Sequence, residues 1–238
     1  MLATCAGDGV VCIWDLEHED TILNRLLGHK GDVHAVRFTP DGTRLCSSGA
    51  DGTVSIWDVQ SGVSLRTIKA HTGTVRALDI SSDGSRLVSG SQDGVIRMWS
   101  LSSYEVIGRP LPHNHRVSSL CFTPRRSQIL SGSSDGAIYL WDTFQRKRVM
   151  VFMHRSEVNC VKFSPVRSEF LSASNDGQIF IWDTTMRLLK VLQHDNKVLS
   201  AAFSPDGTRI VSSTSAGNIL LWGVKDGRPV AAYVGDYI

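Results

Sequence analysis

Long hydrophobic runs are missing from this sequence: no apolar stretch approaches the roughly 18 residues a membrane-spanning helix needs. The opening, Met1 to Gly9, lacks the charged leader and apolar core of a secretion signal. Membrane insertion and secretion are both disfavoured, and an intracellular setting, cytoplasmic or nuclear, is expected. An excess of one charge is also missing. With 25 basic and 23 acidic residues, the net charge of +2 gives no general attraction to nucleic acid or anionic lipid, so any such affinity has to be local. The five cysteines, Cys5, Cys12, Cys46, Cys121 and Cys160, are odd in number and form no C-x-x-C pair. Lying inside apolar, strand-like runs, they read as reduced core thiols rather than a disulfide framework or a zinc site. Helical periodicity does not persist beyond a few residues, which leaves an all-β chain. Its 42% hydrophobic and 20% charged residues suit a protein that buries a continuous core.

What the sequence does contain is a period. The six tryptophans, Trp14, Trp57, Trp99, Trp141, Trp182 and Trp222, follow one another at 43, 42, 42, 41 and 40 residues. Each closes a short run that begins with a turn: Asp8-Gly9, Asp51-Gly52, Asp93-Gly94, Asp135-Gly136, Asp176-Gly177 and Ala216-Gly217. The glycine supplies the positive φ of a hairpin turn, and the aliphatic residues after it alternate as a strand does. A second turn signal comes earlier in the period, as in Thr39-Pro40-Asp41-Gly42, Ser81-Ser82-Asp83-Gly84 and Ser204-Pro205-Asp206-Gly207. With a further β-like run after each tryptophan, such as Ser64 to Ile68, the period holds four strands.

A four-stranded sheet of this length cannot bury both its faces alone, and radial stacking of such sheets covers them while leaving short edges. In these features the chain resembles the WD-repeat family. Trp-Asp itself occurs as Trp14-Asp15, Trp57-Asp58, Trp141-Asp142 and Trp182-Asp183, with departures at Trp99-Ser100 and Trp222-Gly223. The resemblance implies a β-propeller of which six blades are visible: residues 1–27, 28–69, 70–111, 112–152, 153–192 and 193–238. The first blade enters at its second strand and so lacks the innermost one. Val234 to Ile238 reads as the start of a further strand. Seven blades being usual in the family, the chain is expected to be a segment of a longer ring; the alternative is a six-bladed ring closed by Tyr237-Ile238.

Histidines recur four residues before a strand-starting valine, at His29, His71, His113, His154 and His194. At constant offsets follow Ser47 and Asp51, Ser89 and Asp93, Ser131 and Asp135, and Ser172 and Asp176. Ser, His and Asp together suggest a hydrolase triad. Catalysis needs one such site, however, whereas superimposable copies in successive repeats are what a structural cross-link requires. The resemblance implies a relay in which the serine meets the tryptophan indole and the histidine, while the aspartate holds the other imidazole nitrogen; buried indole and imidazole groups need such partners. The sixth repeat has His194, Ser212 and Trp222 but Ala216 for the aspartate, and the first has Thr4, Asp8 and Trp14 without a histidine.

The resemblance also places partner contacts on the loops flanking each strand-starting valine and on the residue before each turn aspartate. In the second and third repeats these are Asp32, His34 and Ala50, then Thr74, Arg76 and Gln92. The next three repeats offer Arg116, Ser118 and Ser134; Glu157, Asn159 and Asn175; and Lys197, Leu199 and Ser215. Arginines anchor interfaces more often than small polar residues, which singles out Arg76 and Arg116. A second candidate is basic: Arg125-Arg126 in place of an Asp-Gly turn, with Arg146-Lys147-Arg148 and Arg167. Such a patch could take phosphate, RNA or an acidic peptide, but no stacking aromatics interleave with it, which disfavours nucleic acid.

A non-enzymatic scaffold that binds other proteins or peptides within a multiprotein complex is the expected function, with no cofactor and no metal. The alternative is a peptide- or substrate-recognition subunit, as of a ubiquitin ligase or a chromatin complex. An RNA-binding surface or a propeller enzyme ranks below both, since no unrepeated cluster of acid, base and nucleophile is present. Trp99→Ala is expected to destabilise the protein by about 3–5 kcal/mol, whereas Asp15→Ala does little; equal thermal midpoints for the two variants would contradict the structural role given to the tryptophans.

Overall fold

The computed structural model describes residues 1–18, 21–124, 128–185 and 187–233. Among these every regular element is a β-strand, and the strands make six antiparallel sheets in sequence order. The first has three strands: β1 (Leu2–Cys5), β2 (Val10–Trp14) and β3 (Ile22–Leu27). The others have four. They are β4 (Val33–Phe38), β5 (Arg44–Gly49), β6 (Thr53–Asp58) and β7 (Ser64–Lys69), then β8 (Val75–Ile80), β9 (Arg86–Ser91), β10 (Val95–Ser100) and β11 (Leu111–Pro112). The fourth sheet holds β12 (Val117–Phe122), β13 (Gln128–Ser133), β14 (Ala137–Asp142) and β15 (Lys147–Met153). The fifth holds β16 (Val158–Phe163), β17 (Glu169–Ser174), β18 (Gln178–Asp183) and β19 (Leu188–Gln193), and the sixth β20 (Val198–Phe203), β21 (Arg209–Thr214), β22 (Ile219–Gly223) and β23 (Pro229–Tyr233). The run Val234 to Ile238, read above as the start of a further strand, lies outside the described residues.

Two departures from the expected period have local causes. The fourth strand of the third sheet shrinks to Leu111–Pro112, preceded by an isolated bridge between Trp99 and Val106. Pro110 and Pro112 lack the N–H a ladder requires, so a longer strand there would leave gaps. The strands β11, β15 and β19 also end at Pro112, Met153 and Gln193, one residue past the blade limits read from sequence. The next residue in each case is the phased histidine, which is buried.

The turn between the second and third strands of the second sheet has a double requirement for glycine. Gly52 has φ 72°, and a Cβ there would stand 2.7 Å from the His71 carbonyl oxygen. The amide of His71 donates to the Gly52 carbonyl at 3.0 Å, so the loop leaving β7 is fastened onto the turn entering β6. No side chain fits between them.

The sheets fall into two compact units, Met1–Val117 and Ser118–Ile238. In the first unit Val11, Ile13 and Leu26 meet Val33, Leu45 and Trp57, and Cys46, Val54 and Ile56 meet Val75, Leu87 and Trp99. Within the second, Leu130, Ile138 and Leu140 meet Val158, Phe170 and Trp182, while Leu171, Ile179 and Ile181 meet Val198, Ile210 and Trp222. In all four interfaces the tryptophan of one sheet packs on the aliphatic face of the sheet before it, so no sheet has a core of its own. The cysteines are all free; Cys46, Cys121 and Cys160 are buried and Cys5 and Cys12 half-buried. Burial pushes the Cys46 thiol up to about 12.

The packing between the fourth and fifth sheets leaves no room at Gly132, where a Cβ would meet Val158 Cγ1 at 2.5 Å. Gly132→Ala is expected to lower stability by about 1–3 kcal/mol through overpacking. Gly7→Ala, whose methyl meets nothing closer than Asp32 Oδ1 at 3.4 Å, is the control; denaturant melts of the two variants should separate clearly.

Candidate interaction surface

The phased residues meet in space because the strand registers carry them together. In the second repeat Trp57 donates from Nε1 to Ser47 Oγ at 2.8 Å, His29 Nε2 lies 2.8 Å from the same oxygen, and His29 Nδ1 is 3.1 Å from Asp51 Oδ2. The third repeat repeats this with Trp99 to Ser89 at 2.9 Å, His71 to Ser89 at 2.8 Å and His71 to Asp93 at 3.0 Å. In the fifth, Trp182 to Ser172 is 3.1 Å, His154 to Ser172 2.8 Å and His154 to Asp176 2.9 Å. In the fourth, Trp141 donates to Ser131 at 2.8 Å, Asp135 accepts the Ala137 amide, and His113 is buried. The shortened first repeat uses Thr4 Oγ1 as acceptor for Trp14 Nε1 at 2.8 Å. The sixth keeps His194 to Ser212 at 2.8 Å and Trp222 to Ser212 at 3.0 Å, but His194 Nδ1 is buried without a hydrogen-bond partner among the described residues.

The aspartates of these relays do more than hold imidazoles. Burial opposes the charge on Asp51, but the Lys30 amide, the hydroxyl and amide of Thr53, and His29 together hold its carboxyl at about 2. Asp176 is likewise held low, against burial, by His154 and by the Arg155 and Gln178 amides. The serines sit too deep, and too fully engaged, to act as nucleophiles: Ser47, Ser89, Ser131 and Ser172 are wholly buried. The aspartate after each tryptophan has a different, local duty. Asp58 accepts from the amide and hydroxyl of Ser61, and where Ser100 replaces it the Ser103 amide turns to the Ser100 hydroxyl instead.

The candidate contact residues share one end of the sheets and one irregularity. Register shifts fall between Val33 and Ala35, Val75 and Ala77, Val158 and Cys160, and Val198 and Ser200, so His34, Arg76, Asn159 and Leu199 are bulge residues. Across from them the amides of Ala50, Gln92, Asn175 and Ser215 donate to the carbonyls of Asp32, Thr74, Glu157 and Lys197 at 2.8, 2.8, 2.9 and 2.9 Å. Bulge and turn are thereby brought together in these four repeats. The side chains then divide. Asn159 spends its amide on Asn175 Oδ1 and the Val198 carbonyl, and the Ser118 hydroxyl donates to Glu157 at 2.9 Å, so these residues tie neighbouring sheets. Asp32, Arg76, Gln92, Lys197 and Leu199 are exposed, while His34, Thr74 and Arg116 are half-buried. Burial and then the Arg76 guanidinium lower the His34 pKa, against Asp32. An ion pair that the repeat pattern did not single out, Arg37 with Asp79 at 3.6 Å, links β4 to β8.

Of the basic set, Arg125 and Arg126 lie outside the described residues. Arg146 occupies the positive-φ position of the turn after β14 at 54°, and Lys147 is exposed. Arg148 lies 4.7 Å over the Tyr139 ring, and Arg167 is 3.9 Å from Glu169. These residues are therefore partly engaged within their own sheets. Near them runs a groove of about 560 Å³ lined by Thr123, Gln128, Phe163, Val166, Arg167 and Thr184, which no single repeat would reveal because two neighbouring sheets make it. Thr123 Oγ1 is buried there without a hydrogen-bond partner among the described residues. The equivalent hydroxyls of Thr39 and Ser81 donate to Asp41 and Asp83, whereas arginine stands at the corresponding position 125. Among the described residues no group of three or more His, Cys, Asp or Glu side chains is placed to hold a metal ion, and no helix is long and apolar enough to cross a membrane.

Antiparallel four-stranded sheets that pack through a tryptophan face and carry a repeated indole-to-carboxylate relay are the blades of a repeat β-propeller protein. The family model described as WD domain, G-beta repeat, matches residues 20–58, 62–100, 107–142, 146–183 and 186–223, most of the chain, which belongs to the WD-repeat family. Protein groucho of Drosophila melanogaster is 35% identical over 63 residues, which cover 26% of this chain and 8% of that protein. Nuclear distribution protein PAC1 is 39% identical in Fusarium vanettenii and 38% in Gibberella zeae, each over 77 residues covering 29% of this chain and 17% of the relative. The matches thus span less than a fifth of these curated relatives.

The relays also set a pH response. Burial lowers the pKa of His71, His154 and His194 below 6.5, outweighing Asp93 and Asp176 where those are present. A histidine depressed in the folded state takes up its proton more readily when unfolded, so its contribution is intact above about pH 6.5 and declines as pH falls below it. The lowered aspartates Asp51 and Asp176 add a second loss, starting near pH 4 and continuing downward. The thermal midpoint should therefore be flat from about pH 8 to 7 and drop between about pH 6.5 and 5; a midpoint constant across that drop would show that the imidazoles are not held neutral.

Proposed function

We propose that this protein is a non-enzymatic scaffold, acting inside the cell, that binds other proteins through the end of the sheets where bulges and second-hairpin turns meet. The observation that carries this reading is the bulge itself. In four repeats one side chain is set outside the regular ladder beside a turn residue, and the exposed residues at that end, Arg76, Gln92, Lys197 and Leu199, differ in charge and polarity from repeat to repeat. A repeated backbone with unrepeated side chains suits recognition of partners better than a single chemistry. Membership of the WD-repeat family supports a protein-binding role. The absence of any unrepeated acid, base and nucleophile cluster from the sequence favours binding over catalysis.

Arg76 is the expected anchor. It is exposed, placed on the bulge of β8, and close enough to His34 to lower its pKa. Arg116, half-buried at the start of β12, is its companion. Affinity purification with the intact chain should recover partners that the Arg76→Glu, Arg116→Glu double variant binds about tenfold or more weakly, equivalent to about 1.4 kcal/mol or more, at an unchanged thermal midpoint. Equal recovery by both proteins would remove this surface from consideration.

A further inference from the structure

The sixth relay stops one group short. Its turn is intact: the Gly217 amide donates to the Thr214 carbonyl at 3.1 Å, as Gly52 does to Gly49 at 3.2 Å, and Gly217 keeps a φ of 78°. Only the side chain differs, Ala216 standing where Asp51, Asp93 and Asp176 hold imidazoles. His194 is 4% exposed, and its Nδ1 has no hydrogen-bond partner among the described residues. Beside it opens a cavity of about 370 Å³ lined by Asn175, Gln193, Asn196, Lys197 and Ser215.

The direction of the relay identifies what the site needs. Trp222 can only donate to Ser212 Oγ. The Ser212 hydroxyl hydrogen goes to His194 Nε2 at 2.8 Å, because its other acceptor, the Leu220 carbonyl, is 3.5 Å away. The ring hydrogen therefore sits on Nδ1, a buried donor that calls for an acceptor and repels a metal ion. Burial lowers the His194 pKa, so the ring is neutral at neutral pH; the Leu192 and Gly177 carbonyls and Asp195 oppose this shift without giving Nδ1 a hydrogen bond.

We propose that the gap left by Ala216 is a carboxylate-binding site, in which a carboxylate of a bound partner accepts the His194 Nδ1 hydrogen and completes the sixth relay. The other repeats show what else would receive it. Asp51 takes the amides of Lys30 and Thr53, and Asp176 those of Arg155 and Gln178; at the same positions here stand the amides of Asp195 and Asn218. Lys197 supplies a cation at the rim. Of the two acids that line the cavity, Asp176 is committed to His154 and the Arg155 and Gln178 amides, and Asp195 points its exposed carboxylate elsewhere than Nδ1. The site rests on His194 and Ala216 and uses neither Arg76 nor Arg116, so its failure and the failure of the double variant above are distinguishable, although Lys197 belongs both to its rim and to the surface proposed there.

The test is titration of the intact chain with acetate and formate, against chloride and phosphate at matched ionic strength, read by the ring nitrogen resonances of His194 and by the thermal midpoint. A saturable shift at His194 Nδ1 is expected, with a rising midpoint and with His154, which has its own aspartate, unmoved. Ala216→Asp should raise the midpoint without acetate and abolish the response. Two peptides separate the sources of carboxylate: one blocked at both ends with an internal glutamate, the other with a free C-terminus as its only acid, and at least one should compete with acetate. No shift at His194, an equal response to chloride or phosphate, or a response that survives in Ala216→Asp would overturn the site; binding of acetate with exclusion of both peptides would overturn its assignment to a partner.

Discussion

The indole N–H of tryptophan can donate a hydrogen bond and cannot accept one, and an ionised carboxylate can accept and cannot donate. Between those two ends the polarity of every relay is fixed. Serine accepts from the indole and passes its hydrogen to Nε2, and the histidine must carry its own hydrogen on Nδ1, toward the aspartate. Four polar groups that would each be costly to bury alone are satisfied in series. Because the chain order has one direction, replacing a member leaves a defined deficit rather than a rearranged network. Ala216 leaves a donor without an acceptor at His194 among the described residues.

The relay also explains why the unit of sequence and the unit of structure are out of step. Each matched segment of the WD domain begins at the last strand of one sheet and ends on the third strand of the next, as residues 62–100 run from β7 through β10. Within that segment His71 reaches Ser89, 18 residues on, and Asp93, 22 residues on, while Trp99 reaches back 10 residues to Ser89. A segment defined by its hydrogen bonds therefore straddles two sheets defined by their ladders. Within each unit, neighbouring sheets are joined by covalent chain and apolar packing together, which suits a fold whose sheets have no separate cores.

The strands and turns were legible in the sequence because their causes are local. Asp-Gly at a fixed offset sets a turn, alternation sets a face, and the 40 to 43 residue spacing of tryptophan sets the sheet count. The relay was legible through its constant offsets, which strand registers convert into proximity. What could not be read depends on irregularity or on two sheets together. The bulge that carries His34, Arg76, Asn159 and Leu199 leaves no mark in an alternating run, and nothing near Asn159 shows that its amide is spent on Asn175 and Val198. The shortening of β11 was in principle visible in Pro110 and Pro112, but a period seen six times hides the repeat that breaks it.

Such breaks are where a repeat protein can acquire distinction. A relay present in several copies stabilises each copy in the same way and tells no ligand where to bind. A departure changes one place only. At position 125 the exchange of aspartate for arginine leaves the Thr123 hydroxyl without the carboxylate that holds Thr39 and Ser81, at the end of the sheets bearing the first hairpin turns. Position 216 makes a similar exchange at the opposite end, removing an acceptor instead of a whole turn pattern. Thr123 Oγ1 and His194 Nδ1 are both buried without a hydrogen-bond partner among the described residues, and burying such a group unpaired costs about 1–3 kcal/mol. The rest of the fold can carry that cost because the remaining relays are complete at His29, His71 and His154. Redundancy in the repeat thus permits the local deficits on which selective binding can be built.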